Sequence, residues 1–355
     1  MKKIFFYINT ICSGGAERVL VNLASQFAEH GYDSTLITSF TSDWEYQYSD
    51  KVRRISLFKN KINNFFKRNY LLIRKLRGLV QSEKPDILIS FMAEPNFRAL
   101  IATAGEKTKN VISIRNDPDR EYNTALTKFL AKTLFKKADG VVFQTEDARK
   151  WFPKQIQKKS EIIFNQVDEV FYNTTYTGVR HDIVTTGRLT PQKNHKMLIK
   201  AFAKIADQID DNLYIYGDGE LRGELEQLIS RLNMQNRIFL PGRTKNVAET
   251  IKSAKLFVLS SDYEGMPNAL MEAMALGLPC ISTDCPCGGA RAIIKNGENG
   301  ILINCNEKNA LASSMLTLLN KINSLVIIGQ AARNTASVFE PNRIFKLWET
   351  YILDL

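Results

Sequence analysis

Two carboxylates stand eight residues apart in SSDYEGMPNALMEAMALGLPCIS, residues 260–282: Glu264 in a Gly/Pro turn and Glu272 inside an otherwise apolar helical run. Gly265 permits a sharp entry and Pro267 suits the first turn of a helix, so the helix NALMEAMALG aims its free amides at whatever fills the turn. An anion would sit well there. At 1.5 Å per residue the two acids lie at most about 12 Å apart along the axis, which lets one bind near each end of an elongated ligand. Met271, Ala273, Met274, Ala275 and Leu276 make the surrounding helix apolar. Glu272 therefore needs partners or a mouth, because an unpaired buried carboxylate is costly. The plainer alternative is an exposed helix face with Glu272 in water.

A second constellation supplies cations. TTGRLTPQKNHKMLIKAF puts Gly187 and Arg188 at a strand end and Lys193 five residues after Arg188, near a helix start. A guanidinium grips phosphate oxygens bidentately and an ammonium adds a compact second charge, which together make a diphosphate clamp. Near the N-terminus, NTICSGGAERVLVNLA places Ser13, Gly14 and Gly15 between a strand and a helix. Glycines there let a ligand approach the backbone, and the helix amides favour an anion or a sugar hydroxyl. A tight turn explains the same residues, since the full GxGxxG spacing is missing.

The elements that position these residues alternate regularly. KIFFYI, STLIT, DILISF, NVISI, GVVFQ and EIIFN read as strands in the first half, and HDIVTTG, NLYIYG, RIFLPG, KLFVLS, LPCIS and GILIN in the second. Between them, segments such as AERVLVNLASQFAEHG carry apolar residues at helical spacing. Such alternation implies parallel sheets covered on both faces. The pattern restarts in YNTTYTGVRHDIVTTGRL, so two doubly wound α/β domains are expected, residues 1–178 and 179–340, with a ligand cleft between them.

Composition narrows the class. With 355 residues, 44% of them hydrophobic, the chain can bury two ordinary cores. The apolar run after Lys2 and Lys3 is too short for a signal peptide, and no stretch has the ~18 apolar residues of a membrane span. A cytoplasmic protein is expected. The five cysteines, Cys12, Cys280, Cys285, Cys287 and Cys305, lack CxxC or histidine ligand spacing and read as reduced thiols, without a metal site. Most of the net charge of +11 lies in the first 170 residues, with 28 Lys and Arg against 19 Asp and Glu. Residues 51–80 hold ten Lys and Arg, no acid, and Phe58, Phe65, Phe66 and Tyr70 between them. That stretch suits an anionic membrane surface, with a solvated helix face as the ordinary alternative. Nucleic-acid binding is not expected, because no recognised module is present.

Taken together, these motifs resemble glycosyltransferase family 4, a family of retaining enzymes. Glu264 and Glu272 match its E-x7-E motif, GRLTPQK its Gly-Arg-Leu-x-x-x-Lys segment and SGGAERV its N-terminal loop. GDGELRGELEQLI and FLPGRTKNV match further segments in the usual order, so the resemblance spans essentially the whole chain. It is particularly similar to bacterial enzymes that extend lipid-linked oligosaccharides, O-antigens, capsules or exopolysaccharides.

The resemblance implies a GT-B fold of two Rossmann-like domains, with a C-terminal helix of about residues 341–355 packing back on the first. The second domain is then expected to hold a nucleotide sugar, UDP-linked, and the first a saccharide acceptor carried on a polyprenyl diphosphate at the inner face of the cytoplasmic membrane. Carried onto matching positions, Glu264 bonds donor-sugar hydroxyls, Glu272 the ribose, and Arg188 and Lys193 the diphosphate. Gly187, Gly217, Arg243, Gly265, Met266, Pro267, Asn268 and Ala269 complete the donor site, and Ser13, Gly14, Gly15 and Glu17 an acceptor or phosphate loop. Many relatives carry a histidine in the loop where this chain reads SIRNDPDREY, and Arg115 stands in its place as a positioning and charge-stabilising group. An arginine is no base at neutral pH. The leaving phosphate can take the acceptor proton, so no cofactor or metal is required. The DPD of Asp117–Asp119 is similar to a metal-binding D-x-D but reads as a loop turn. A non-catalytic sugar-nucleotide-binding subunit of another transferase is the alternative.

Overall fold

A computed structural model describes residues 2–12 and 14–355. The chain divides into two units: the part up to Asn165 together with Asn342–Leu355, and Gln166–Pro341.

The first unit is built on a seven-stranded parallel sheet in the order β3-β2-β1-β4-β5-β6-β7. Its strands are β1 (Lys3–Ile8), β2 (Asp33–Phe40), β3 (Arg53–Phe58), β4 (Ile87–Phe91), β5 (Lys109–Ser113), β6 (Gly140–Phe143) and β7 (Ser160–Ile162). β1 is central and apolar on both sides because successive side chains serve opposite faces. Ile4, Phe6 and Ile8 pack with α1 (Gly15–Glu29) and the C-terminal helix Pro341–Leu353, whereas Phe5 and Tyr7 pack with α2 (Phe65–Glu83) and α3 (Ala93–Ala102). A further helix, α4 (Ala125–Leu134), connects β5 to β6.

All twelve stretches read as strands are strands, and β3 is the one the sequence reading missed. Its RRISLF lies inside the cationic stretch 51–80, which is therefore an edge strand, a loop and a helix in succession. Charge on an edge strand discourages pairing with another chain.

The second unit has a six-stranded parallel sheet, β10-β9-β8-β11-β12-β13. Its strands are β8 (His181–Thr186), β9 (Leu213–Tyr216), β10 (Ile238–Gly242), β11 (Ala254–Leu259), β12 (Cys280–Asp284) and β13 (Ile301–Asn304). Its main helices are α5 (His195–Ala203), α6 (Arg222–Arg231), α7 (Asn268–Ala275), α8 (Lys308–Leu319) and α9 (Ile322–Ala336). Strand order reverses between β8 and β11, as it does between β1 and β4 in the first sheet, and the carboxyl ends at such a reversal are where open α/β sheets bind ligands.

The boundary expected near residue 178 is corrected to Asn165/Gln166. The short helix Glu169–Asn173 packs on α7, the Tyr172 hydroxyl donates to the Ala336 carbonyl at 2.8 Å, and Arg333 Nη2 donates to the Tyr172 carbonyl at 2.7 Å. At the other end, Trp348 stacks on Phe91 with ring centroids 5.9 Å apart, and the Tyr351 hydroxyl donates to the Lys159 carbonyl at 2.7 Å, tying the C-terminal helix to the first unit. Among the described residues no single helix is long and apolar enough to cross a membrane.

Candidate active site

The two motifs of the second unit follow the two strands that flank its reversal point. Gly187–Lys193 continues from β8 and Ser260–Pro267 from β11, so the sheet itself brings them together. Hydrogen bonds then join the loops. Asp262 N donates to the Gln192 carbonyl at 2.9 Å, Gln192 Nε2 to the Tyr263 carbonyl at 2.9 Å and Ser260 Oγ to the Lys193 carbonyl at 3.0 Å. Asn194, held at φ +44°, caps α5 through Met197 N and donates to Asp262 Oδ1 at 2.7 Å.

At the centre is Glu264, only 7% exposed. Its Oε1 lies 2.5 Å from Lys193 Nζ and accepts from Ser261 Oγ at 2.7 Å, and its Oε2 lies 3.5 Å from Gln192 Nε2. A carboxylate so enclosed must be partnered, and the acid and the clamp lysine are here partners of each other. Arg188 is exposed, with no ion pair among the described residues. Arg243 is also exposed and follows β10, two strands from β8, a lateral offset of about 10 Å.

Two glycines are fixed by contact. Gly217 sits at φ +149°, and a Cβ there would fall 1.8 Å from the Gly187 carbonyl oxygen. A Cβ on Gly289 would fall 1.7 Å from the Gly265 carbonyl oxygen. Gly217 thus braces the clamp loop, and Gly289, which the sequence reading did not single out, braces the Glu264 turn. Both sites need bare backbone.

Pro267 is the cap of α7 rather than its first residue, and its carbonyl accepts from Leu270 N at 3.1 Å and Met271 N at 3.2 Å. Met266 and Pro267 are buried, whereas Asn268 and Ala269 retain exposure at the helix start. Glu272 is 5% exposed, which excludes the solvated helix face. α7 is buried almost all round because it packs on α9 and on the helix Glu169–Asn173.

His195 has a role the sequence did not suggest. Burial, with Lys193 nearby, pushes its pKa down to about 4, so the ring is neutral at pH 7 and Nε2 donates to the Arg188 carbonyl at 3.3 Å. It supports the clamp from below. Ser261 was equally unremarked, although its place three residues before Glu264 was the available signal.

In the first unit, Gly14 caps α1, and a Cβ on it would fall 1.8 Å from Glu17 Oε2. The expected anion at this helix start is thus matched by the chain's own Glu17 carboxylate, which lies over Gly14 just before Gly15. Ser13 lies outside the described residues.

Arg115 is buried. Its guanidinium carbon lies 3.7 Å from the centroid of Phe91 and 5.6 Å from that of Trp348, and Nη1 donates to Asn165 Oδ1 at 2.7 Å. Nε and Nη2 are buried without a partner. Burial pulls its pKa down to about 9, which leaves it cationic at pH 7. Six residues further along the chain, Glu121 Oε1 accepts from Ala93 N at 2.7 Å at the start of α3 while Oε2 is buried without a partner, and burial pushes its pKa up to about 7. The Asp117–Asp119 pair serves as a turn: Asp117 Oδ1 accepts from Asp119 N at 2.9 Å, and Asp119 pairs with Lys128 at 2.7 Å.

Within the cationic stretch, four arginines are tied to carboxylates. Arg53 pairs with Glu83 at 2.7 Å, Arg54 with Glu45 at 2.8 Å, Arg68 with Glu94 at 3.3 Å and Arg77 with Glu106 at 3.4 Å. Lys75 donates to the Leu57 carbonyl at 2.6 Å. Lys59, Lys61, Lys67 and Arg74 are exposed and have no carboxylate partner among the described residues. The usable positive charge is thus narrower than the sequence suggests and lies beside Phe65, Phe66 and Tyr70.

Two family models match the chain in succession: Glycosyltransferase Family 4 over residues 13–171 and Glycosyl transferases group 1 over residues 178–335. An uncharacterized glycosyltransferase of Methanocaldococcus jannaschii is 32% identical over 290 residues, 72% of this chain and 70% of that one. A Campylobacter jejuni protein is 28% identical over 364 residues, all of this chain and 99% of that one. It is described as a GalNAc-alpha-(1->4)-GalNAc-alpha-(1->3)-diNAcBac-PP-undecaprenol alpha-1,4-N-acetyl-D-galactosaminyltransferase. Among solved structures, Anabaena HepE in complex with UDP and glucose superposes with a TM-score of 0.86 at 20% identity, covering both chains fully.

Proposed function

Starting from the fact that this chain belongs to glycosyltransferase family 4 and is a GT-B glycosyltransferase, we propose that it transfers a hexose or N-acetylhexosamine from a UDP-sugar, with retention, to a lipid-linked saccharide in the assembly of a bacterial surface glycan. The observation that carries the donor reading is the enclosed Glu264–Lys193–Ser261 knot at the carboxyl edge of the second sheet. It joins a sugar-hydroxyl acceptor to a phosphate cation in one rigid group. UDP is favoured because HepE was crystallised with it, and a diphosphate-linked polyprenol because the Campylobacter relative is named for one.

In the proposed reaction the donor C1–O bond breaks and its electron pair passes to the UDP phosphate. Lys193, Arg188 and the first amides of α7 stabilise that charge, and preorganised donors are most effective in such a place. The acceptor oxygen bonds to C1 from the same side, and its proton goes to the departing phosphate. Glu264 orients the sugar hydroxyls, Glu272 binds the ribose, and Gly187, Gly265, Met266, Pro267, Asn268 and Ala269 line the donor. Arg115 holds positive charge in the acceptor unit. This scheme uses no metal. The acceptor's lipid places the enzyme at the inner face of the cytoplasmic membrane, where the exposed cations around the start of α2 meet anionic headgroups, each contributing about 1 kcal/mol.

The test is release of nucleoside diphosphate from a panel of UDP-, GDP- and other nucleotide sugars, with a bacterial membrane lipid extract as acceptor. UDP release that depends on the extract is expected. Turnover with GDP-sugars alone would reject the UDP assignment, and equal release without lipid would reject the lipid-linked acceptor.

A further inference from the structure

The carboxyl edge of the first sheet has its own reversal point, between β1 and β4, and nothing in the proposed reaction uses the side chains there. Asn9 directly follows β1, and Glu94 stands in the first turn of α3, three residues after β4 ends at Phe91. Between them on the second loop, Met92 is held at φ +77° and ψ +157°. That conformation is costly for a residue with a Cβ and persists only where the surroundings enforce it, as functional sites do.

Arg98 of α3, only 2% exposed, ties the two loops together. Its Nη1 donates to Asn9 Oδ1 at 2.6 Å, Nε to Asn69 Oδ1 of α2 at 2.7 Å, and Nη2 to Glu94 Oε2. Ser39 Oγ also donates to Asn9 Oδ1, at 3.1 Å, so the Tyr7 hydroxyl, 2.9 Å from that serine, donates to Ser39 in turn. Glu94 Oε1 lies 3.3 Å from Arg68 Nη2. Elsewhere in the chain, arginines that serve the fold bond to backbone: Arg237 donates to the carbonyls of Ala206, Ile209 and Asp211, and Arg180 to those of Lys252, Ala254 and Leu276. Arg98 instead bonds to side chains. A buried ion pair adds little to stability that apolar packing could not, so what this guanidinium contributes is the orientation of Asn9 and Glu94.

We infer that Asn9 and Glu94, with Arg98 as their positioning residue, form the subsite that grips the receiving sugar ring of the acceptor; this rests on the proposed saccharide acceptor. With Oδ1 of Asn9 turned inward, Nδ2 on the other arm of the amide makes no bond among the described residues and is a fixed donor. The Glu94 side chain is 44% exposed and keeps a free lone pair on each oxygen, so it is a fixed acceptor. The two terminal nitrogens of one guanidinium set this donor and this acceptor side by side. Such a pair complements neighbouring hydroxyls of a neutral sugar, one accepting from Asn9 and the other donating to Glu94. The charge on Glu94 disfavours a phosphate in the same place, so the acceptor's diphosphate lies elsewhere. The second sheet supplies a parallel: β8 and β11 occupy the places of β1 and β4, and the loop after β11 holds Glu264 against Lys193. Each unit thus presents one cation-held carboxylate at its reversal point.

The test has two arms, both on the whole chain. In the first, transfer from the nucleotide-sugar panel is followed against the concentration of the membrane lipid extract. Asn9→Asp keeps both inward bonds and replaces the outward donor by an acceptor; Glu94→Gln keeps an oxygen for Arg98 and removes the charge. Each should raise the extract concentration for half-maximal rate by roughly tenfold or more, with the maximal rate within about threefold of the parent and UDP affinity parental. Arg98→Lys should do the same and add little to Glu94→Gln when the two are combined, because both act through one carboxylate. In the second arm, saturation-transfer NMR with UDP present measures binding of methyl glycosides of hexoses and N-acetylhexosamines, without lipid or turnover. A signal in the parent that Asn9→Asp and Glu94→Gln abolish is expected. Parental half-saturation in both variants, or a loss that UDP affinity shares, would overturn the inference and leave Arg98 as a structural tie. A parent without extract-dependent transfer would refute the proposed acceptor, and the glycosides would then decide the subsite by themselves: binding lost in the two variants upholds it, and binding retained in them or absent from the parent overturns it.

Discussion

Glu264→Gln separates the two duties assigned to the central knot. Lys193 Nζ lies 2.5 Å from Glu264 Oε1, with the two side chains 14% and 10% exposed. Two unit charges about 4 Å apart interact by about 4 kcal/mol at an effective dielectric of 20. Desolvation offsets much or all of that, so the pair is held more by its enclosure than by a large net gain. An arriving diphosphate must share this ammonium with Glu264. Glutamine keeps an oxygen for Ser261 and Lys193 but removes the competing charge, so UDP should bind equally or up to about tenfold more tightly. The sugar hydroxyl, in contrast, loses a charged acceptor worth about 1.5–3 kcal/mol, so transfer should fall by roughly ten- to a hundredfold. Titration calorimetry with UDP and initial rates of sugar transfer measure the two effects separately. A UDP affinity more than about tenfold weaker, combined with a parental transfer rate, would refute the reasoning, since Glu264 would then be reading the nucleotide.

Three further outcomes are expected. Glu272→Ala and Arg188→Ala should each weaken UDP binding by about 1.5–3 kcal/mol with the fold retained, and unchanged calorimetric affinity in both would remove them from the donor site. His195, with its pKa pushed down from 6.5 to about 4, makes the unfolded chain bind more protons between those values, so its contribution to stability is present above pH 6.5 and falls by up to about 3 kcal/mol as pH drops through that window. Glu121, pushed up from 4.5 to about 7, acts in the opposite sense, favouring the fold below pH 4.5 and losing that contribution as pH rises to about 7. The urea midpoint of His195→Gln must therefore be compared with the parent at each pH, and identical slopes would count against the buried neutral ring. Arg115→Met should fill the space against Phe91 and Trp348 and bind UDP normally yet transfer poorly; full transfer would make Arg115 a packing residue only.

The sequence by itself determined the alternation of strands and helices, because apolar periodicity of two and of 3.6 is a local property that each segment carries. It also determined the order of the motifs, and with it that Gly187–Lys193 and Glu264 follow strands of the second half. It did not show that β8 and β11 are neighbours, since pairing order depends on crossovers of many residues, and so it could not pair Lys193 with Glu264 or bring Ser261 and His195 beneath the clamp. Burial was likewise undecided. Glu272 could have faced water until α9 and the helix Glu169–Asn173 covered α7, and the resemblance that put Arg115 in a reacting loop said nothing of its burial, which Phe91 and Trp348 bring about from different parts of the chain. The ten cations of residues 51–80 looked uniform because their partners, Glu45, Glu83, Glu94 and Glu106, lie outside that window. Charge type is written residue by residue, but whether a charge is neutralised, shielded or offered to a ligand depends on which distant residue the fold sets beside it, and tertiary contacts alone decide that.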